Sequence, residues 1–259
     1  MLSVKGIAKK FGGNTAVNHI SFELGEGEML ALIGPNGAGK STTFNMINGQ
    51  TRPDFGDISL NNQSLIGLTA KNTWKLGISR TFQVAATFQT LTLAENIQMA
   101  LLSTDGQLFS LWRRANDYRR DDAMNLLHMV GLDKLAHQAS SNLAYGDVKR
   151  LELALAMAND PKILLMDEPT AGMAPAERRS LMALIRELVQ HRKLTGGHSL
   201  SVLFTEHSMD VVFDFADRII VMAGGNLIAQ GTTEMIKSNQ RVQEVYFGGG
   251  RQFGIKYNE

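Results

Sequence analysis

The chain has 259 residues, 44% hydrophobic and 20% charged, so it holds enough apolar material for a sizeable core and lacks the composition of a disordered segment. A net charge of +1 implies no bulk polyanion as partner, and the absence of cysteine excludes disulfides and thiolate metal sites, in keeping with a reducing compartment. Residues 1–10 contain no apolar stretch of signal-peptide length, and the longest apolar runs, such as VVFDFADRIIVMA from Val211, are broken by aspartates and an arginine. These runs fall short of the ~20 residues a membrane helix needs, so any work at a membrane is expected to be peripheral.

The first informative stretch is EMLALIGPNGAGKSTTFNMING, which reads as a buried strand from Glu28, a glycine-rich turn and a helix ending at Gly49. Within it, Gly34 to Ser41 carries the spacing G-x-x-x-x-G-K-[ST]. Gly34, Gly37 and Gly39 let backbone amides, with Asn36 and Ala38 between them, approach an anion closely at a helix N-terminus. Lys40 supplies a point charge for β- and γ-phosphates, the Ser41 hydroxyl is a hard ligand for Mg²⁺, and Thr42 reaches an α-phosphate. A glycine turn merely capped by Ser41 is the alternative; the strand before it and the helix after it favour a nucleoside triphosphate.

Farther along, ILLMDEPTAG from Ile163 places Asp167 and Glu168 where an apolar strand ends. Beside a phosphate loop, Asp167 would face the Mg²⁺ and Glu168 would serve as base for an attacking water. The segment NLAYGDVKRLELALAMAND opens a helix whose apolar face comprises Leu151, Leu153, Ala154, Leu155, Met157 and Ala158. Gly146 clears space near the start of that helix, a second anion-friendly helix terminus. One nucleotide has no evident use for both termini, so the second is expected to serve a neighbouring subunit's nucleotide.

With these motifs in order, the chain resembles the ATP-binding cassette subunits of ABC transporters over nearly its whole length. The resemblance identifies Gly34 to Thr42 as Walker A, Ile163 to Asp167 as Walker B and Glu168 as the catalytic base. It also identifies LAYGD, Leu143 to Asp147, as the signature that completes a partner's ATP site through Tyr145 and Gly146. Gln83 in ISRTFQ fits the Q-loop glutamine that senses Mg²⁺ and water, His207 in VLFTEHSMD fits the switch histidine, and Phe11 fits the aromatic that stacks on adenine. Phe11 as ordinary core packing stays open, and His19, His128, His137, His191 and His198 show no paired ligand spacing.

Departures from the family pattern are as informative. Ala144 stands where the signature serine falls, Asp147 where a glutamine falls, and Ala174 where the D-loop aspartate or asparagine falls. Losing one hydrogen bond to a charged oxygen costs about 1.5–3 kcal/mol. The LAYGD form, GISRTFQVAATFQTLTLAENIQMAL and the closing LIAQGTTEMIKSNQRVQEVYFG, read as strand, turn and final helix, resemble the cassettes of branched-chain amino acid importers and their amide, urea and aromatic-acid relatives.

The resemblance implies an α/β fold with a P-loop NTPase core. Residues 1–82 and 160–235 would form that core, with an N-terminal antiparallel β part and a mostly parallel sheet. Residues 83–159 would form a helical lobe carrying the signature, and 236–259 a C-terminal helix and tail. Basic and aromatic residues in LFSLWRRANDYRRDDAM are offset by Asp117, Asp121 and Asp122 at helical spacing, which predicts a solvated helix near the membrane face and no nucleic acid. The implied partners are membrane-embedded permease subunits, a second cassette bound head to tail around ATP and Mg²⁺, and an extracytoplasmic solute-binding protein. The implied location is the cytoplasmic face of the inner (plasma) membrane. Two other readings use the same motifs: a soluble cassette ATPase acting on ribosomes or DNA, and a slow-hydrolysing degenerate half-site of a heterodimer.

Overall fold

A computed structural model describes residues 1–81, 87–105, 118–194 and 198–247. Two sheets organise the described residues. The first is antiparallel, in the order β2-β1-β4-β5, from β1 (Leu2–Phe11), β2 (Asn14–Leu24), β4 (Phe55–Leu60) and β5 (Gln63–Ser64). The second has the order β10-β9-β3-β8-β7-β6, with β3 (Met29–Ile33), β6 (Ile78–Thr81), β7 (Ile163–Asp167), β8 (Ser201–Thr205) and β9 (Arg218–Ala223) parallel. Its edge strand β10 (Asn226–Gly231) returns antiparallel to β9.

The central strands are short, apolar and buried along their whole length, as expected for a parallel sheet covered on both faces. Strand period then sorts their side chains to two separate cores. Met29, Ala31 and Ile33 of β3, Leu164 and Met166 of β7, and Val202 and Phe204 of β8 join a core built with the helices. Leu30 and Leu32, Ile163 and Leu165, and Leu203 point the other way, into a core shared with the antiparallel sheet and with helix α1 (Lys40–Ile47). Truncating Phe204, which is fully buried, to alanine would cost about 3–5 kcal/mol.

On the helical side, short α2 (Ala70–Lys75) meets β6, while α3 (Leu93–Thr104), α4 (Arg120–Met129) and α5 (Tyr145–Met157) pack on one another; α5 also meets α6 (Pro175–Leu194) and β6, and α6 meets α7 (Met209–Phe215). Thr92 starts α3 with a reciprocal capping box to Glu95, a sequence-local signal that fixes where the helix begins. Of the apolar face expected on α5, Leu151, Leu153, Ala154, Met157 and Ala158 are buried, whereas Leu155 is half-buried and lines a cleft.

Two expectations need correction. The closing segment contains two helices after β10, α8 (Thr233–Lys237) and α9 (Gln240–Phe247), not one. Thr232 caps α8 through the Met235 amide, and the Asn239 side chain accepts from the Val242 amide at the start of α9, so local polar caps split the run. Second, Tyr118 is buried with its hydroxyl donating to Asp105, and α4 begins only at Arg120. Arg119, in a left-handed conformation just before that helix, pairs with Asp122 at 2.7 Å and also with Asp105. Phe109, Trp112, Arg113, Arg114 and Asp117 lie outside the described residues.

Candidate active site

The C-terminal tips of β3, β8 and β7 lie side by side, and the functional candidates follow directly from them, the usual place for a site on a parallel sheet. After Ile33 the chain turns through Gly34 to Gly39 into α1. A Cβ at Gly34 would lie 2.2 Å from the Met222 carbonyl oxygen, and one at Gly39 (φ +102°) would lie 2.4 Å from the Ala16 carbonyl oxygen. Both positions accept glycine alone, because β9 and β2 crowd the loop from behind. Asn36 and Gly37 are exposed on its outer side, Ala38 is buried, Ser41 is exposed at the start of α1 and Thr42 is half-buried.

The Lys40 ammonium turns back over the loop and donates to the carbonyls of Gly34 at 2.7 Å and Pro35 at 3.2 Å. Burial pushes its pKa below the ordinary lysine value, and the charges of Glu168 and Asp167 pull against that shift.

Asp167 ends β7 and is buried, not solvated. Its Oδ1 accepts from the Thr205 hydroxyl at 2.7 Å, and its Oδ2 lies 3.1 Å from a terminal nitrogen of Arg80. Glu168 follows in a left-handed conformation, φ +50°, which costs a non-glycine residue about 1–3 kcal/mol. Its amide donates to the Thr205 carbonyl at 3.1 Å and to the Thr205 hydroxyl at 3.0 Å, so β8 holds the turn that redirects the side chain. Glu168 Oε1 then meets His207 Nε2 at 2.8 Å. Glu206, buried between them in sequence, accepts from the amide and hydroxyl of Thr170 at 2.9 and 2.7 Å and ties β8 to the loop after β7.

Phe11 is 53% exposed at the tip of the β1–β2 hairpin, with the Lys9 ammonium 5.6 Å from its ring centre, which removes core packing as its explanation. Tyr145 opens α5, half-exposed, and its hydroxyl donates to the Ala171 carbonyl at 3.0 Å. Ala144 caps α5 with no side-chain hydrogen bond, and Gly146 is half-buried beside Met173 and Glu177. Gln83 lies outside the described residues. Sequence spacing alone does not single out Arg80, Thr205 or Glu206; the one signal is their position as polar residues at strand ends in ISRTFQ and VLFTEH, close to Gln83 and His207.

Among the described residues no cluster of three or more His, Asp or Glu side chains would hold a metal unaided. An exposed hydroxyl and a buried carboxylate are instead a donor set suited to a hard cation shared with phosphate oxygens, so the residues present fit Mg²⁺.

A glycine-cradled lysine after β3 and an Asp-Glu pair at the end of β7, two strands away across β8, place the chain among the P-loop nucleotide hydrolases. A family model described as ABC transporter matches residues 17–171. The chain is 41% identical to the high-affinity branched-chain amino acid transport ATP-binding protein LivG of Escherichia coli (strain K12), over 96% of this chain and 98% of that protein. It is 37% identical to the corresponding protein BraF of Pseudomonas aeruginosa, again over 96% and 98%. Among solved structures, the ADP conformation of MJ1267, an ATP-binding cassette of an ABC transporter, matches with a TM-score of 0.83 at 27% identity, over 96% of this chain and 98% of that one. The chain belongs to the ABC transporter family, as an ATP-binding cassette ATPase.

Proposed function

We propose that this cassette hydrolyses ATP to drive import of branched-chain amino acids or related small polar solutes, working from the cytoplasmic face of the plasma membrane. The likeness to LivG and BraF along nearly the whole chain supports the cargo class, and the Glu168–His207 contact at 2.8 Å carries the hydrolytic reading. Among the described residues no helix is long and apolar enough to cross a membrane. In this reading permease subunits form the membrane path and an extracytoplasmic solute-binding protein delivers cargo. An apolar cleft of about 510 Å³ between α2, β6, α3 and α5, lined by Trp74, Phe88, Met99 and Leu155, offers such a permease a surface.

In this reading Phe11 stacks on adenine, the amides from Asn36 to Gly39 with Lys40 and Thr42 hold the phosphates, and Ser41, Asp167 and Gln83 hold Mg²⁺. When bound, Mg²⁺ offsets charge on the β- and γ-phosphate oxygens. Glu168 takes the proton of the attacking water, while His207 orients Glu168 and faces the γ-phosphate. Tyr145 and Gly146 complete the ATP site of a second cassette, so two nucleotides join two copies or homologues head to tail. ATP favours the closed pair by mass action, and hydrolysis releases it. Residues 1–82 with 160–235, and residues 83–159, act as the two lobes, followed by a C-terminal segment from 236 that includes α9.

A slower, degenerate half-site is the second reading, because Ala144 and Ala174 bring no polar side chain to exposed positions beside the signature and D-loop. Phosphate release by the purified chain, alone and with a different cassette added, separates the two. The importer reading is tested by purifying a tagged copy from native membranes in mild detergent and measuring uptake of labelled leucine, urea and benzoate in a deletion strain. Co-purification of polytopic membrane chains with loss of leucine uptake supports it. Recovery of ribosomal or DNA-repair proteins without a membrane chain contradicts it.

A further inference from the structure

Arg80 lies on β6, the edge strand of the parallel sheet, with its side chain only 14% exposed. One terminal nitrogen donates to the Asn45 side chain in α1 at 2.6 Å and to Gln50 at 3.2 Å, and the other reaches Asp167 Oδ2 at 3.1 Å. The Phe44 ring lies 5.8 Å from the guanidinium carbon. A single planar fork therefore connects the helix that follows the phosphate loop to the carboxylate at the end of β7, a bridge suited to arginine's rigid donor geometry. The other Asp167 oxygen is held by Thr205 at 2.7 Å, so each carboxylate oxygen has one fixed donor and the plane of the group is set.

We infer that Arg80 is a positioning residue for hydrolysis: it fixes the plane of Asp167 relative to the phosphate loop and offsets part of its charge. The inference rests on Asp167 serving the metal. It makes two contributions of opposite sign. Fixing the carboxylate favours turnover, since small misplacements of a site group are costly. A permanent positive charge in contact with that carboxylate, however, weakens its attraction for a divalent cation. A purely structural arginine would alter stability and leave metal affinity alone.

Arg80→Met and Arg80→Lys separate the two contributions, with Mn²⁺ as the spectroscopic probe and a non-hydrolysable ATP analogue bound. Electron paramagnetic resonance reads Mn²⁺ affinity, nucleotide binding in EDTA reads the metal-free site, and phosphate release reads kcat. Arg80→Met is expected to bind Mn²⁺ about threefold tighter or more while kcat falls about tenfold or more, with metal-free nucleotide binding within about twofold of wild type. Arg80→Lys keeps the charge without the fork, so its Mn²⁺ affinity should stay within about twofold of wild type while kcat still falls. Weaker or unchanged Mn²⁺ binding in folded Arg80→Met, or unchanged kcat in both variants, overturns the inference. Asp167→Asn is the reference: if Mn²⁺ affinity does not drop there, the assignment of Asp167 to the metal fails first and the role of Arg80 fails with it.

Discussion

His207 Nε2 lies 2.8 Å from Glu168 Oε1, bringing together two side chains separated by 39 positions in sequence. Adjacent parallel strands make the meeting possible: Asp167 pairs with Thr205, so the residues just beyond the two strand ends emerge side by side. His207 is half-exposed and therefore contributes little to the core. Replacing it with alanine should leave folding stability within about 0.5 kcal/mol and lower kcat by about 10²-fold, with nucleotide affinity little changed. Thermal unfolding and steady-state phosphate release check both halves.

Thr205 is fully buried, and its hydroxyl serves both neighbours, donating to Asp167 Oδ1 and accepting from the Glu168 amide. Thr205→Val keeps the shape and leaves a buried carboxylate oxygen without that donor. The expected loss is about 1–3 kcal/mol in the urea midpoint analysis. It should be accompanied by a fall in kcat, because the turn that aims Glu168 loses one of its two anchors.

Glu152 lies buried in α5 with Lys149 Nζ 3.0 Å away, and burial pushes its carboxyl pKa above the ordinary glutamate value against the pull of that lysine. A raised folded-state pKa means that the unfolded chain releases the proton first as pH rises. Stability tied to Glu152 is thus fully present below the unfolded value and is lost as pH climbs through the folded one. Glu152→Gln should flatten this part of the profile, so that the Tm of the variant relative to wild type improves from acid towards neutral pH. A pH series of melting curves on both proteins tests the sign; a difference independent of pH would contradict it.

The local chemistry was legible in the sequence. Gly34 to Ser41, Asp167 with Glu168, and His207 each sit at the end of an apolar strand, where spacing and residue type suffice to suggest phosphates, metal and proton transfer. The family followed from the order of these motifs, and the parallel sheet from the family resemblance, with which the short, mostly apolar strands agree. The groups that hold these residues in place were not legible, because they depend on which strands are neighbours. Arg80 reaches Asp167 only because β6 lies beside β7, and Thr205 reaches it only because β8 lies on the other side. Nor did spacing show that the Tyr145 hydroxyl meets Ala171, a contact across the interface of α5 with the loop after β7.

The most direct test is Glu168→Gln, which keeps an oxygen for His207 and removes the base. ATP binding and dimerisation would be measured by equilibrium titration and size-exclusion light scattering, and turnover by phosphate release. The account predicts nucleotide binding at least as tight as wild type, an accumulated ATP-bound dimer, and turnover reduced about 10²–10⁴-fold. Wild-type turnover in the folded, ATP-binding variant would contradict the central claim that Glu168 activates the water.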